Sequence, residues 1–521
     1  MDNKISYGKN NKTIKLKNET SWSSIHIICL LAFSSSVQFT LYFSSTNQFL
    51  KTFDPDATEF FYGIIISSYS IGNVVFSPIM GYASNRIKQI KILLYVGLIC
   101  QFIGNLIYFF VEILPFDNKK IFLIIARLIT GIGASNVSLM KAYISGASTQ
   151  EDRSRCIAYI TGAMAVGAFI GPALQLFFTP FGYPGIHVYN LFRIHMFNLP
   201  ALGACIFVFV NFILVYFIFK EVYVDIIEST KDEKSNIPPY DIIAALICYL
   251  TRFCQTFIST NLETLAAVIS ISVFSYTTTE SVNIISIANT GRAILALIIS
   301  LLYVFIKLEK YISTRCTIII CILSMLLFHG ITYPYGFYNK VPTYNTTINF
   351  SNETYVGCNL SKYSWCKNLS PCNPYLYYIS HTTIVGISYS ALNICLNTLF
   401  SKIIGPRRQA FQQGTLNMSK GISQMLSPPL IGLAFDYSGQ SLVWIIHILV
   451  VGGTASLWFL FYNRMVPLIN ETDNITISSI SYDLSVLNQD GSDKSITKPI
   501  SDKISRSLTR VAELYPNKGS I

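Results

Sequence analysis

The sequence predicts an all-α integral membrane protein with twelve transmembrane helices in two six-helix bundles. Three observations predict it. The 521 residues are 51% hydrophobic and only 12% charged, half the roughly 25% charged share of a water-facing domain. Apolar runs of roughly 20 residues, the length of a bilayer-crossing helix, recur along a chain of mean hydropathy +0.46. Six such runs, a polar connector and six more divide it in two. The runs do not alternate apolar and polar residues as barrel strands do. The net charge of +11 does not point to nucleic acid, because it is distributed over the loops.

The elements follow in order. Residues 1–21 are polar and lysine-rich and read as a cytosolic tail. A basic flank before an apolar run also fits a signal peptide, but no small-residue cleavage site clearly ends the run, so it is taken as the first span. Apolar runs near 23–43, 60–82, 90–111, 121–144, 156–178 and 197–219 make the first bundle, 22–219. Residues 220–241 form a central cytosolic loop. The second bundle, 242–462, holds runs near 242–262, 284–306, 316–335, 375–400, 410–434 and 442–462. Residues 242–274 are nearly continuously apolar, so the seventh span is long or bent. The Ser-rich stretch 463–521 reads as a flexible cytosolic tail.

Lysine and arginine set the orientation. They crowd the short loops after even-numbered spans (Arg86, Lys88, Lys91; Arg153, Arg155; Lys307, Lys310, Arg315; Lys402, Arg407, Arg408) and are sparser opposite. Both termini are therefore expected in the cytosol and the 336–374 loop on the other side. That loop carries five Asn-x-Ser/Thr acceptors, Asn345, Asn349, Asn352, Asn359 and Asn368. Chance is the alternative in so Asn-rich a chain, but the density here predicts glycosylation. The same pattern at Asn11, Asn18, Asn136, Asn417, Asn470 and Asn474 falls in tails or spans and is expected to stay unused. Cys358 and Cys366 enclose a short loop where disulfides persist and are the expected pair. Cys372 competes, and zinc is a weaker reading without a nearby His pair.

Three motifs then narrow the class. Gly81–Lys91 reads GYASNRIKQIK, in which Gly81 allows close helix contact and Arg86 would reach carbonyls or acids at the helix ends. The fourth span holds ARLITGIGASN, with Arg127, Gly131 and Gly133 spaced R-x-x-x-G-x-G. The fifth holds GAMAVGAFIGPALQ, with Gly162, Gly167, Gly171 and Pro172. Small residues let membrane helices approach closely, and Gly-Pro favours a bend. Together, in this order, these resemble the signatures of the major facilitator superfamily. The loop departs from it, with Asn85 in place of aspartate and Lys88 in place of glycine; a simple basic anchor loop is the alternative.

KAYISGASTQEDRSRCIAYITGAMAVGAFIGPALQ, NLETLAA, GCNLSKYSWC and SKIIGPRRQAFQQG make the resemblance narrower. They look like the major facilitator superfamily domain-containing protein 8 family, lysosomal transporters linked to neuronal ceroid lipofuscinosis, over residues 25 to 462 but not the tails. Cys372 and Arg252 depart from it. The resemblance implies endolysosomal residence and anion permeation, with chloride the expected ion.

Ionisable residues inside or bordering spans are Arg127, Lys141, Arg252, Glu263, Arg292, His329, His381 and Lys420. Most are cationic, which favours an anion in the pathway. Arg127, Glu263, Arg252 and Arg292 are the candidate pathway residues. The bland alternatives are that Lys141 and Lys420 snorkel to an interface, that Arg292 simply pairs with Glu263, and that His329 is interfacial. Glu263 is also a candidate proton carrier, a role that a neighbouring arginine would oppose. No phosphate loop, nucleophile elbow or HExxH motif occurs, so no enzyme, metal or cofactor is implied. The expected partners are the lipid bilayer and a small anion or organic solute, with protons as a candidate co-substrate. A proton-coupled exporter of a small organic solute and a non-transporting scaffold are the rival functions. Tyr223-Val-Asp-Ile226 fits a tyrosine-type sorting signal.

Overall fold

A computed structural model describes residues 20–42, 46–53, 59–113, 119–182, 184–188, 192–224, 239–336, 338, 340–344, 357–360 and 363–468. Asn345, Asn349, Asn352 and most of both tails lie outside the described residues.

Among the described residues, eleven helices are long and apolar enough to cross a membrane. Spans 1 to 6 are Trp22–Leu41, Gly63–Ile87, Lys91–Phe109, Lys119–Ala147, Arg153–Gly171 and Leu199–Phe217. Spans 7 to 10 are Ile242–Val273, Asn283–Ile306, Thr314–Ile331 and Pro374–Ile404. The last helix, Ala410–Leu460, has 51 residues. Straight, it would be about 76 Å long, more than twice the ~30 Å hydrocarbon core. It is not straight. Gly439 has φ 63°, ψ −152°, a backbone conformation used essentially only by glycine and costing other residues about 1–3 kcal/mol. Ser419 before it and Trp458 after it both bond to one stretch of span 7: Ser419 Oγ donates to Tyr249 O (2.7 Å) and Trp458 Nε1 to Thr251 Oγ1 (2.8 Å). The chain therefore doubles back at Gly439, giving spans 11 and 12 and the expected total of twelve. A side chain at 439 would also run into the Trp365 ring.

Span 7 takes the long form, ending in a π-helical turn at Ile269–Val273. Span 4 is interrupted at Ser135, between Lys119–Ala134 and Asn136–Ala147. The sequence reading missed the short helix Thr46–Phe53 and the hairpin that pairs Ile186–Val188 with Phe192–Ile194.

The two halves meet at the end that carries the basic loops. One apolar core runs there from the first half (Ile28, Met80, Leu94, Tyr143, Ile157) into the second. The opposite end of the first half has a separate cluster, including Tyr42, Phe49, Tyr108 and Phe197. Polar contacts reinforce the basic end: Asn417 Nδ2 donates to Asn73 Oδ1 (2.9 Å) and Ser77 Oγ (2.8 Å), and Lys307 Nζ is 3.9 Å from Asp152 Oδ1.

Span 8 begins at a capping box outside the membrane. Glu280 accepts from the Thr277 N–H (3.0 Å) and hydroxyl (2.9 Å), and Thr277 accepts in return from Glu280 N. These bonds favour the carboxylate and hold its pKa below the usual glutamate value. The cap's contribution is thus complete above the ordinary pKa and is lost as pH falls through the lowered one. Glu280→Gln should lower the unfolding temperature at neutral and mildly acidic pH. That difference should shrink towards zero as pH drops below the carboxylate range, in a thermal melt series.

Candidate functional site

Lys141 of span 4, Arg252 of span 7 and Lys420 of span 11 lie within electrostatic reach of one another, and Lys420 also of Glu263. Arg252 is buried. Its Nη1 donates to Gln255 Oε1 (2.9 Å) and to Asn393 Oδ1 of span 10 (2.7 Å). Gln255 Nε2 donates to Tyr389 O (2.8 Å), a second tie between spans 7 and 10. Arg292 Nη2 of span 8 stands 2.6 Å from Glu263 Oε1, with the two side chains 20% and 50% exposed. Charge on the lipid face of a span costs about 2.5–3.5 kcal/mol per residue on insertion scales, a cost that pairing the two opposite charges reduces. Tyr389 lies within reach of Glu263, Arg252 and Arg292 alike. Lys141 comes from the first half and the rest from the second, so both halves contribute to one group of four cations and one carboxylate. Lys141 and Lys420 belong to this group and do not snorkel to an interface.

Arg127 sits elsewhere. It is 14 positions from Lys141 on span 4, about 21 Å of helix, and is buried inside the first half. Its guanidinium lies against the rings of Tyr42 (4.8 Å) and Tyr69 (4.9 Å). A desolvated cation–π contact is worth about 2 kcal/mol, so the two rings offset much of the cost of a charge in the membrane. Arg127 Nε and Nη2 meet no acceptor among the described residues. A small cavity beside them is lined by Ser35, Gln38, Tyr42, Tyr69, Gln101, Asn105, Arg127 and Thr130, none of them acidic. Of the four candidate pathway residues, the structure thus gathers Glu263, Arg252 and Arg292 and separates Arg127 from them.

His329 is not interfacial, contrary to the sequence expectation. It is fully buried in a chain the sequence reading missed because it overlooked His447. His329 Nδ1 pairs with Met325 O (2.8 Å), His329 Nε2 with His447 Nδ1 (3.0 Å), and His447 Nε2 with Asn261 Nδ2 (3.2 Å). A carbonyl only accepts, so His329 Nδ1 carries hydrogen and its Nε2 accepts from His447 Nδ1–H. His447 Nε2 then accepts from the Asn261 amide. One pair of neutral tautomers satisfies all three bonds. His381 is also buried, stacked 6.1 Å from Tyr377.

The motif residues serve contact and turning. Gly81 packs on Ala410 of span 11, Gly131 on Tyr69, Gly133 on Gly97, Gly167 on Phe33 and Gly171 on Thr40. Backbones come together there because no side chain intervenes. The helix passes through Pro172 and continues to Phe178. Lys88 has φ 62°, the left-handed conformation glycine adopts freely, which explains a superfamily glycine at this position. Arg86 is exposed and meets no carbonyl or acid among the described residues, against expectation. Lys91 takes that part instead, donating from Nζ to Phe219 O (3.2 Å), while Glu221 accepts from Ile90 N (2.8 Å) and Lys91 N (3.1 Å). The Asn85 Oδ1 is buried without a partner among the described residues.

In the 336–374 loop Cys358 and Cys366 are joined by a disulfide, Cα–Cα 5.8 Å, and Cys372 is buried as a free thiol. Asn359 lies on a short strand and Asn368 on a 3-10 turn. Trp365 packs on Phe435 (5.1 Å), seating the loop on span 11. No group of three or more potential metal ligands occurs among the described residues.

The family model for the Major Facilitator Superfamily matches residues 28–346. Major facilitator superfamily domain-containing protein 8 of Xenopus laevis is 27% identical over 486 residues, covering 86% of this chain and 92% of that protein. The crystal structure of the human organic anion transporter MFSD10 (TETRAN) superposes with TM-score 0.56 at 12% identity, over 84% of this chain and 99% of that one. The proton:xylose symporter XylE bound to 6-bromo-6-deoxy-D-glucose gives TM-score 0.60 at 15% identity, over 86% and 98%.

Proposed function

Because the chain belongs to the Major Facilitator Superfamily, and is thus a membrane transporter and not an enzyme, we propose that it passes a small anion, chloride, across the endolysosomal membrane. One observation carries the reading: four cations and a single carboxylate lie within electrostatic reach of one another, Lys141 from the first half and the rest from the second. Fixed positive charge beside a low-dielectric wall concentrates anions and repels cations. A scaffold gains nothing from such a cluster. The sequon-dense loop supports a glycosylated, non-cytosolic face for residues 336–374, with both termini in the cytosol. On that orientation the halves are closed on the cytosolic side. Tyr223 bonds to Glu221 and lies under Arg408, while Asp225 and Ile226 of the tyrosine-type signal lie outside the described residues.

Current across patched, enlarged endolysosomes tests the proposal. With chloride as the charge carrier the current should be present, and replacement by a large anion should remove it. Lys420→Gln should reduce it severalfold. Absence of chloride current from correctly glycosylated, correctly delivered protein would overturn the reading.

The Glu263–Arg292 pair favours a second reading, a proton-coupled exporter of a small organic solute. A proton taken up by Glu263 would release Arg292 for a carboxylate on the cargo. On this reading Glu263→Gln abolishes the dependence of transport on the pH gradient.

A further inference from the structure

Inside the first half, away from the cation cluster, four helices close around a cavity about the size of one water molecule. The hydrogen bonds around it run in one direction. The Tyr42 hydroxyl donates to Asn105 Oδ1 (2.8 Å), and Asn105 Nδ2 donates to Gln38 Oε1 (3.4 Å). That leaves Gln38 Nε2 buried with its hydrogens unused among the described residues, and Arg127 Nε and Nη2 are in the same condition. Arg127 is 2% exposed and Gln38 7% exposed. Two independent side chains from spans 1 and 4 thus turn spare donors on one space, and both can only donate there. The positive charge has ring faces against it but no carboxylate in the lining.

Water would use the donors but leave the charge uncompensated. A cation is excluded by the guanidinium. A carboxylate or phosphate is too large for the space. We propose that Arg127 and Gln38 hold one small spherical anion, of halide size, as a resident counterion that ties spans 1 to 4 together. It is not the transported ion, and the proposal does not depend on the pathway reading. It accounts for an arginine kept deep in a bundle with no acid to meet it, since charge-assisted bonds to an anion are the strong ones.

The test is thermal unfolding of the purified full-length protein in detergent at constant ionic strength, with methanesulfonate exchanged stepwise for chloride or bromide. The unfolding temperature should rise and saturate with either halide. Gln38→Leu, which keeps Arg127, should raise the half-saturating concentration about tenfold or more, and Arg127→Gln should remove the response. Lys420→Gln should keep it. No halide response in the unmodified protein would overturn the site, leaving Arg127 to its tyrosines and water. A response that survives Gln38→Leu unchanged but is lost in Lys420→Gln would equally overturn it, placing the ion in the pathway.

Discussion

Arg252→Leu should cut anion flux by about tenfold or more while leaving the unfolding temperature nearly unchanged. The two expectations come from different terms. The substitution strips buried Gln255 Oε1 of its donor, while Asn393 Oδ1 still accepts from Asn397 Nδ2 (3.1 Å), and a buried polar group left unpaired costs about 1–3 kcal/mol. It also removes a buried cation whose desolvation costs several kcal/mol, so the two effects largely cancel in stability. They do not cancel in function, because one of four positive charges leaves the cluster. Arg252→Lys is the control. It keeps the charge but replaces a rigid fork with a point charge on a flexible stem, so flux should return in part. The readout is chloride flux into proteoliposomes beside a melting curve for each variant. Loss of flux only in step with loss of folded protein would reduce Arg252 to a packing residue.

His447→Phe should be the most destabilising single change in the second half. The ring contacts can persist, since His447 packs 4.9 Å from His329, 5.8 Å from Phe257 and 5.9 Å from Trp444. Both nitrogens are lost, however. His329 Nε2 and Asn261 Nδ2 are then buried without partners, at about 1–3 kcal/mol each and about 2–6 kcal/mol together. The double variant His329→Phe/His447→Phe removes two of the bonded groups at once. Its loss should be smaller than the sum of the single losses, the non-additivity that marks residues sharing one network. Strict additivity in denaturation of the purified protein would show that the bonds between spans 9, 12 and 7 carry no such energy.

Features that repeat along the chain were legible in the sequence. Twelve apolar runs needed only a length and a composition. The last reversal showed only as the gap between the runs 410–434 and 442–462, and the structure puts the turn at Gly439. The Glu263–Arg292 pair was readable because two lone opposite charges, 29 residues apart, fall in consecutive spans. Long-range partnerships left no trace. His447 meets His329 across 118 residues, and Arg252 meets Asn393 across 141. An asparagine or a histidine in an apolar run looks the same whether it lines a path or closes a network. Arg127 stood out as part of a motif, but the two tyrosines whose rings it contacts come from two other spans, 85 and 58 positions earlier. Its separation from Lys141 and Arg252 is a matter of depth along the helix, which residue type does not encode. Arg86 failed for a related reason: the loop motif is present in outline, but Lys91 and Glu221 make the contacts it would make.

The central claim is that positive charge gathered from both halves selects anions. The most direct measurement is the reversal potential of the current in patched endolysosomes under a chloride gradient, with cations held equal on both sides. The claim predicts a reversal near the chloride equilibrium potential, shifting with each change of chloride and moving towards zero in Lys420→Gln. A reversal potential that stays near zero and is indifferent to chloride would contradict it.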